Sequence, residues 1–169
     1  MPEEVDVAAV YGELHKIAVI HLSRSARQSS LQATQLVHEA WLRLEGHGWK
    51  SKTHFLALAS RTMRMVMIDT IRARMAQKRA GDWERLEWAP GIEFAGASMS
   101  LPLERIIEVD RALNELALKD GRKARVVEMR FFGGLDFPEI AEALEISLST
   151  AKRDWEFSRS WLFTRLSAS

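Results

Sequence analysis

Apolar residues recur along this chain with the period of an α-helix. The pattern predicts helices over Ala8–Ser23, Leu31–Leu44 and His54–Arg79. Their apolar positions are Val10, Leu14, Ile17, Ala18 and Leu22; then Leu36, Val37, Ala40, Trp41 and Leu44; then Leu58, Met65, Ile68 and Ile71. No stretch has the alternation of a β-strand, so the sequence predicts an all-α fold.

A change in composition divides the chain in two. Residues 80–104 combine glycine, proline and serine with acidic residues, a composition typical of a linker. Trp83, Leu86 and Trp88 indicate that part of this linker docks on another surface. Helices follow over Leu103–Leu116 and Arg122–Phe132, and Gly133–Gly134 ends the second one. We therefore expect two small helical domains, residues 1–79 and 105–169, joined by an acidic linker.

Residues 136–162 predict two helices joined by a tight turn. Asp136 can cap the first helix, with Pro138 in its first turn and Glu139 in position for a capping box. The break falls at Glu145–Ile146, and Ser147 can cap a second, longer helix. This is the arrangement of a helix-turn-helix, whose second helix enters the major groove of DNA. A glycine is usual at the position of Glu145, and a left-handed backbone there would cost a non-glycine residue about 1 kcal/mol.

The second helix of this unit has one apolar face and one polar face. Ala151, Trp155, Ser158 and Leu162 should face the protein. The polar residues that would meet DNA are Ser149, Thr150, Lys152, Arg153, Glu156 and Arg159. The alternative is a solvated charged face on an ordinary helical hairpin.

The charges are unevenly distributed, although the formal net charge is only +1. Residues 50–80 contain eight basic groups and one acidic group, whereas residues 81–119 contain four basic and eight acidic groups. A helix with this basic block is more often a solvated surface, but beside a helix-turn-helix we favour phosphate binding.

Other classes of protein are disfavoured by missing features. The 169 residues include no cysteine, no secretory signal pattern and no apolar run near the length of a membrane span, so we expect a cytoplasmic protein. Leu42 follows His38–Glu39 where a zinc protease has its second histidine, and no other histidine pair has metal-ligand spacing. We expect no metal site, no cofactor and no enzymatic activity.

Three segments in this order resemble the extracytoplasmic-function (ECF) class of bacterial sigma factors. ATQLVHEAWLRL (33–44) resembles the helix that docks on the clamp of the largest polymerase subunit. FLALASRTMRMVMIDTIRARMAQKR (55–79) resembles the helix that reads the minus-ten element. ARVVEMRFFGGLDFPEIAEALEISLSTAKRDWEFSRSWL (124–162) resembles the domain that reads the minus-thirty-five element. The resemblance covers nearly the whole chain and implies a sigma domain 2-like and a sigma domain 4-like unit.

The resemblance also implies roles for individual residues. The polymerase-binding positions would be Gln35, Leu36, His38, Glu39, Trp41 and Leu42, with Val37 beneath them. The minus-ten and backbone positions would be Arg61, Arg64, Met65, Arg72, Arg74, Lys78 and Arg79. Asp69 would tie its helix to a neighbour. The minus-thirty-five bases would meet Lys152, Arg153 and Glu156, with Thr150 at a phosphate.

The sequence thus favours a promoter-specificity subunit of RNA polymerase that contacts its clamp and flap, binds promoter DNA, and is monomeric when free. Control by an anti-sigma factor stays open. Because the chain stops at Ser169, directly after the last predicted helix, we expect no appended regulatory domain. The alternatives are a stand-alone helix-turn-helix regulator and a helical adaptor that interacts with sigma factors.

Overall fold

The computed structural model describes residues 8–9, 11–12, 14–15, 29–78 and 103–168. Within these residues the protein is all-α, as predicted, and no strand occurs. The helices are α1 (Ser29–Leu44), α2 (Lys52–Lys78), α3 (Leu103–Lys119), α4 (Gly121–Val127), α5 (Phe137–Leu144) and α6 (Leu148–Ser167). Helix α4 continues directly into a π-helical turn, Glu128–Phe132. None of the described helices is long and apolar enough to cross a membrane.

Helix α1 packs against α2 through the face that its apolar period predicts. Leu36, Val37, Ala40 and Leu44 of α1 are all buried. Gly46, in a left-handed conformation with φ +86°, ends α1 where the sequence predicts an interruption. An ion pair of 3.3 Å between Arg43 and Asp69 joins the two helices, which confirms the expected tie through Asp69.

The predicted apolar stripe of α2 is wrong at one position. Ile68 and Ile71 are buried, but half of the Met65 side chain is exposed. The reason is that α2 has partners on two sides, since it packs against α1 and also against α3, α5 and the π-helical turn. Its buried apolar positions therefore form a wider set than one stripe: Phe55, Leu56, Ala59, Met63, Val66, Met67, Ile68 and Ile71.

Helices α3 to α6 form the second half of the described structure. The segment predicted as one helix over Arg122–Phe132 is α4 followed by the π-helical turn, and Asp120 caps it by accepting from the backbone N–H of Lys123 at 3.1 Å. Gly133 and Gly134 end it, as predicted, with Gly134 at φ +65°. This half contacts α2 directly, and the segment expected to be the linker lies almost wholly outside the described residues.

Candidate nucleic-acid interface

The caps of the helix-turn-helix are those that the sequence predicts. The Asp136 carboxylate accepts from the backbone N–H of Glu139 at 2.8 Å, and the Glu139 carboxylate accepts from the backbone N–H of Asp136 at 2.9 Å. These two bonds form a capping box at the start of α5, and Pro138 lies in its first turn. Ser147 caps α6 by accepting from the backbone N–H of Thr150 at 3.1 Å.

The turn between α5 and α6 contains the left-handed residue that the sequence leads one to expect. Glu145 has φ 54° and ψ 44°, and no other described non-glycine residue has a positive φ. The backbone N–H of the next residue, Ile146, donates to the carbonyl of Ala141 at 2.9 Å. Ala141 is buried and small, so α6 can approach α5 closely at this point.

Helix α6 presents one polar face to solvent. Ala151, Trp155, Ser158 and Leu162 are buried, as predicted. The opposite side exposes Ser149, Lys152, Arg153 and Glu156 together with the predicted phosphate contact Thr150, which is half-buried. Arg159, also half-buried, forms an ion pair of 3.1 Å with Glu156. The face has the donors and acceptors that base edges require.

Two contacts made by arginine side chains hold α6 in place. The Asp154 side chain is only 2% exposed, and Arg122 of α4 donates to its carboxylate at 2.7 Å. This carboxylate raises the pKa of Arg122, chiefly through the hydrogen bond. Arg130 lies over the rings of Phe137 and Trp155, with its carbon Cζ 4.3 and 5.7 Å from the ring centroids. The orientation of the polar face is therefore fixed from α4, α5 and the π-helical turn.

The basic residues predicted on α2 do not share one environment. Arg61 and Arg72 are exposed, as is half of Met65. The side chains of Arg74 and Lys78, and the whole of Arg79, lie outside what the structure describes. Arg64 is different, because its side chain is only 12% exposed.

Arg64 lies at the centre of a polar network that joins α2 to the second half of the chain. Its Nε donates to the Asp110 carboxylate at 2.8 Å, and one terminal nitrogen donates to Glu128 at 2.9 Å. The other terminal nitrogen donates to the Asn114 side chain at 2.9 Å and to the backbone carbonyl of Asp110 at 3.1 Å. We call Arg64, Asp110, Asn114 and Glu128 the Arg64 cluster. In this arrangement the guanidinium is engaged with protein groups.

The predicted polymerase-binding residues of α1 fall into two groups. Gln35, His38, Glu39 and Leu42 are exposed, and Leu42 is exposed to 49%. Leu36 and Val37 are buried, and Trp41 is half-buried beside Phe55, with ring centroids 6.2 Å apart. The exposed members form the surface that a partner could contact, and the buried ones support it.

The comparison with protein families identifies the chain. A family model described as ECF sigma factor matches residues 4–168. The chain belongs to the ECF sigma factor family. No curated protein and no solved structure gave a match.

Membership in the ECF sigma factor family agrees with the resemblance drawn from the three sequence segments. The sequence missed two features of this ECF sigma factor, the Arg64 cluster and the pair between Arg122 and the buried Asp154. A signal for the first is present: Asp110 lies on the same face of α3 as the buried Ile106 and Leu113. A carboxylate in such a stripe requires a partner, although the sequence does not say which.

Proposed function

We propose that this ECF sigma factor binds core RNA polymerase and directs initiation at promoters with two separate elements. Helix α6 reads the minus-thirty-five element, and α2 with the basic segment that follows it reads the minus-ten element. The proposal rests chiefly on α6, which is the second helix of a complete helix-turn-helix and exposes Ser149, Lys152, Arg153 and Glu156 together. The protein carries out no catalytic step of its own.

The basic and the acidic side chains on α6 suit different bases. Lys152 and Arg153 can donate to the N7 and O6 acceptors of guanine, and Glu156 can accept from the amino group of cytosine. Thr150 lies in the first turn of α6, where backbone N–H groups and the helix dipole favour a phosphate. The Ser147 cap already uses the N–H of Thr150, so a phosphate would meet the remaining amides of that turn.

The polymerase contact falls on the exposed side of α1. Gln35, His38, Glu39 and Leu42 would contact the clamp of the largest subunit, and Leu42 provides an exposed apolar side chain there. Trp41 and Leu36 would support this surface by packing beneath it. The acidic linker would pass through the polymerase, and a second contact, with the flap, would hold the helix-turn-helix near its DNA element.

The decisive experiment selects promoters from random DNA with polymerase reconstituted from core enzyme and the purified chain. We expect a selected sequence with two elements, and Arg153→Ala should then lose about 1–3 kcal/mol of discrimination at particular bases of the upstream element. Arg125→Ala, which removes an exposed arginine of α4 outside the proposed interface, is the matched control. An equal loss on every sequence would exclude base reading by Arg153.

The same experiment tests the competing functions. A chain that binds no core polymerase and supports no transcription from the selected DNA is not a sigma factor. Tight, specific binding to DNA without polymerase would instead identify a stand-alone regulator.

A further inference from the structure

We infer that the Arg64 cluster holds the free protein in a closed, inactive conformation, which must open before the protein can engage polymerase and promoter DNA. The inference rests on the proposed function. It starts from the direct contact between α2, which precedes the expected linker, and α3, α5 and the π-helical turn, which follow it.

The closed arrangement does not fit a promoter with two separated elements. Elements at minus ten and minus thirty-five lie about 25 base pairs apart, which is about 85 Å along B-form DNA. At 1.5 Å per residue, α2 and α6 laid end to end would span only about 70 Å. The Thr53 hydroxyl of α2 donates to the Glu142 carboxylate of α5 at 3.0 Å, so the two halves are far closer than end to end.

The contacts of Arg64 connect opening with DNA binding. Its guanidinium is bound to Asp110, Asn114 and Glu128, and the flanking Arg72 has a nitrogen 3.8 Å from the Asp110 carboxylate. Arg64 and Arg72 are both among the proposed DNA contacts of α2. The carboxylates of Asp110 and Glu128 thus occupy a position that DNA phosphates or bases would take.

Burial makes the stability of the closed state depend on the paired charges of the cluster. The side chains of Arg64, Asp110 and Glu128 are 12%, 10% and 14% exposed, so water screens them weakly. Removing the acidic partners would leave a buried cation without a counter-charge, which strongly disfavours the closed state. Asp110→Asn with Glu128→Gln removes both charges and keeps the side-chain shapes, without altering a proposed DNA contact.

The matched control is Glu115→Gln. Glu115 also lies on α3 and pairs with an arginine, Arg165 of α6, at 2.7 Å. That pair joins two helices of the same half and is 44–50% exposed, so its loss should not open the structure.

The closed state can be measured by chemical cross-linking, because the native chain contains no cysteine. Lys52→Cys and Glu142→Cys place two exposed thiols near the Thr53–Glu142 contact. A short bismaleimide with a reducible spacer should join them rapidly in the free protein. Asp110→Asn/Glu128→Gln should slow this reaction about fivefold or more, and Glu115→Gln should leave it unchanged. An unchanged rate in the double variant would overturn the inference.

Binding to core polymerase tests the consequence. If most of the free protein is closed, Asp110→Asn/Glu128→Gln should bind core polymerase up to about tenfold more tightly, because the apparent affinity scales with the open fraction. Unchanged or weaker binding by a double variant that retains its helical circular dichroism would contradict the inference.

A locked protein makes the test independent of how the double variant folds. The cross-linked Lys52→Cys/Glu142→Cys chain should not bind core polymerase, and reduction of the spacer, which leaves both adducts in place, should restore binding. Equal binding before and after reduction would overturn the inference. If no chain binds polymerase in either state, the proposed function fails and the regulatory role of the cluster fails with it, whatever the cross-linking rates.

Discussion

Glu145 is the residue at which this helix-turn-helix departs most from what local chemistry favours. Its φ of 54° places a side chain in the left-handed region, where Cβ approaches the following carbonyl oxygen. The backbone N–H groups of Glu145 and Ile146 both donate to carbonyl oxygens of α5, so the turn keeps these hydrogen bonds in spite of the left-handed conformation. The cost expected from the sequence therefore applies to the folded protein.

Replacement of this residue should stabilise the protein. Glu145→Gly removes the Cβ clash and should raise the free energy of unfolding by about 1 kcal/mol, less the added flexibility of the unfolded chain. Urea denaturation followed by circular dichroism measures the change. Glu145→Ala, which keeps the Cβ, is the control and should give no such gain. Equal stabilisation by both variants would show that the Glu145 side chain, and not its left-handed backbone, lowers the stability.

Gly133 is required for a different reason, since its φ of −98° suits any residue. A Cβ at this position would lie 1.8 Å from the Ser60 Oγ of α2 and 2.7 Å from the carbonyl oxygen of Met129. The glycine thus permits the close approach of the π-helical turn to α2.

Gly133→Ala should destabilise the fold by about 1–3 kcal/mol, the usual cost of overpacking. Gly121→Ala is the control, because a Cβ there meets no atom within 4 Å. Thermal unfolding of both variants measures the difference. Similar melting temperatures for the two would mean that α2 and the π-helical turn separate without loss of stability.

At the level of elements, an acidic or hydroxyl side chain stabilises the start of four helices, namely α2, α4, α5 and α6. Asp120 is the N-cap of α4, and its carboxylate also pairs with Lys123. The side-chain hydrogen bond from Lys123, followed by the backbone one, lowers the pKa of Asp120 below its usual value. A lowered pKa in the folded state means that the carboxylate stabilises the protein above its unfolded pKa and stops doing so in acid.

Asp120→Ala should therefore cost about 1 kcal/mol at pH 7, the usual worth of an N-cap. The difference from the wild type should shrink below about pH 4, as the Asp120 carboxylate of the folded wild type takes up its proton. Denaturant unfolding at pH 7 and pH 3 measures both values. Asp120→Asn keeps an acceptor for the cap but not the charge, so it should lose less than Asp120→Ala at pH 7. If the stability lost by Asp120→Ala were the same at both pH values, the charge of Asp120 would not contribute to its effect.

At the scale of the molecule, the proposed function requires two DNA-binding elements, α2 and α6, at a separation set by the polymerase. Recognition should then depend on the spacing of the two promoter elements as well as on their sequences. A spacer lengthened by about five base pairs turns one element to the opposite side of the duplex.

We expect that change to reduce transcription by the reconstituted holoenzyme strongly, whereas one added base pair should have a much smaller effect. Run-off transcription from a series of spacers measures this directly, with the unaltered selected promoter as the reference. A stand-alone regulator that uses only α6 would be insensitive to the length of the spacer. That result would contradict recognition of two promoter elements by this protein.

The sequence by itself determined the helices of the described residues, the caps of α5 and α6, and the two faces of α6. Each of these depends on residues within a few positions of one another, as with Asp136 and Glu139 or Ala151 and Trp155. It also determined the ECF sigma factor family, through three segments in a fixed order.

Only the tertiary structure decided which charged residues of α2 are available. Arg61 and Arg64 are both arginines on one helix, but only Arg64 meets carboxylates that lie 46 and 64 residues away in the chain. The exposure of Met65 was decided in the same way, by the second set of helices that α2 contacts. Such contacts depend on how separate elements pack, and helical periodicity contains no information about that packing.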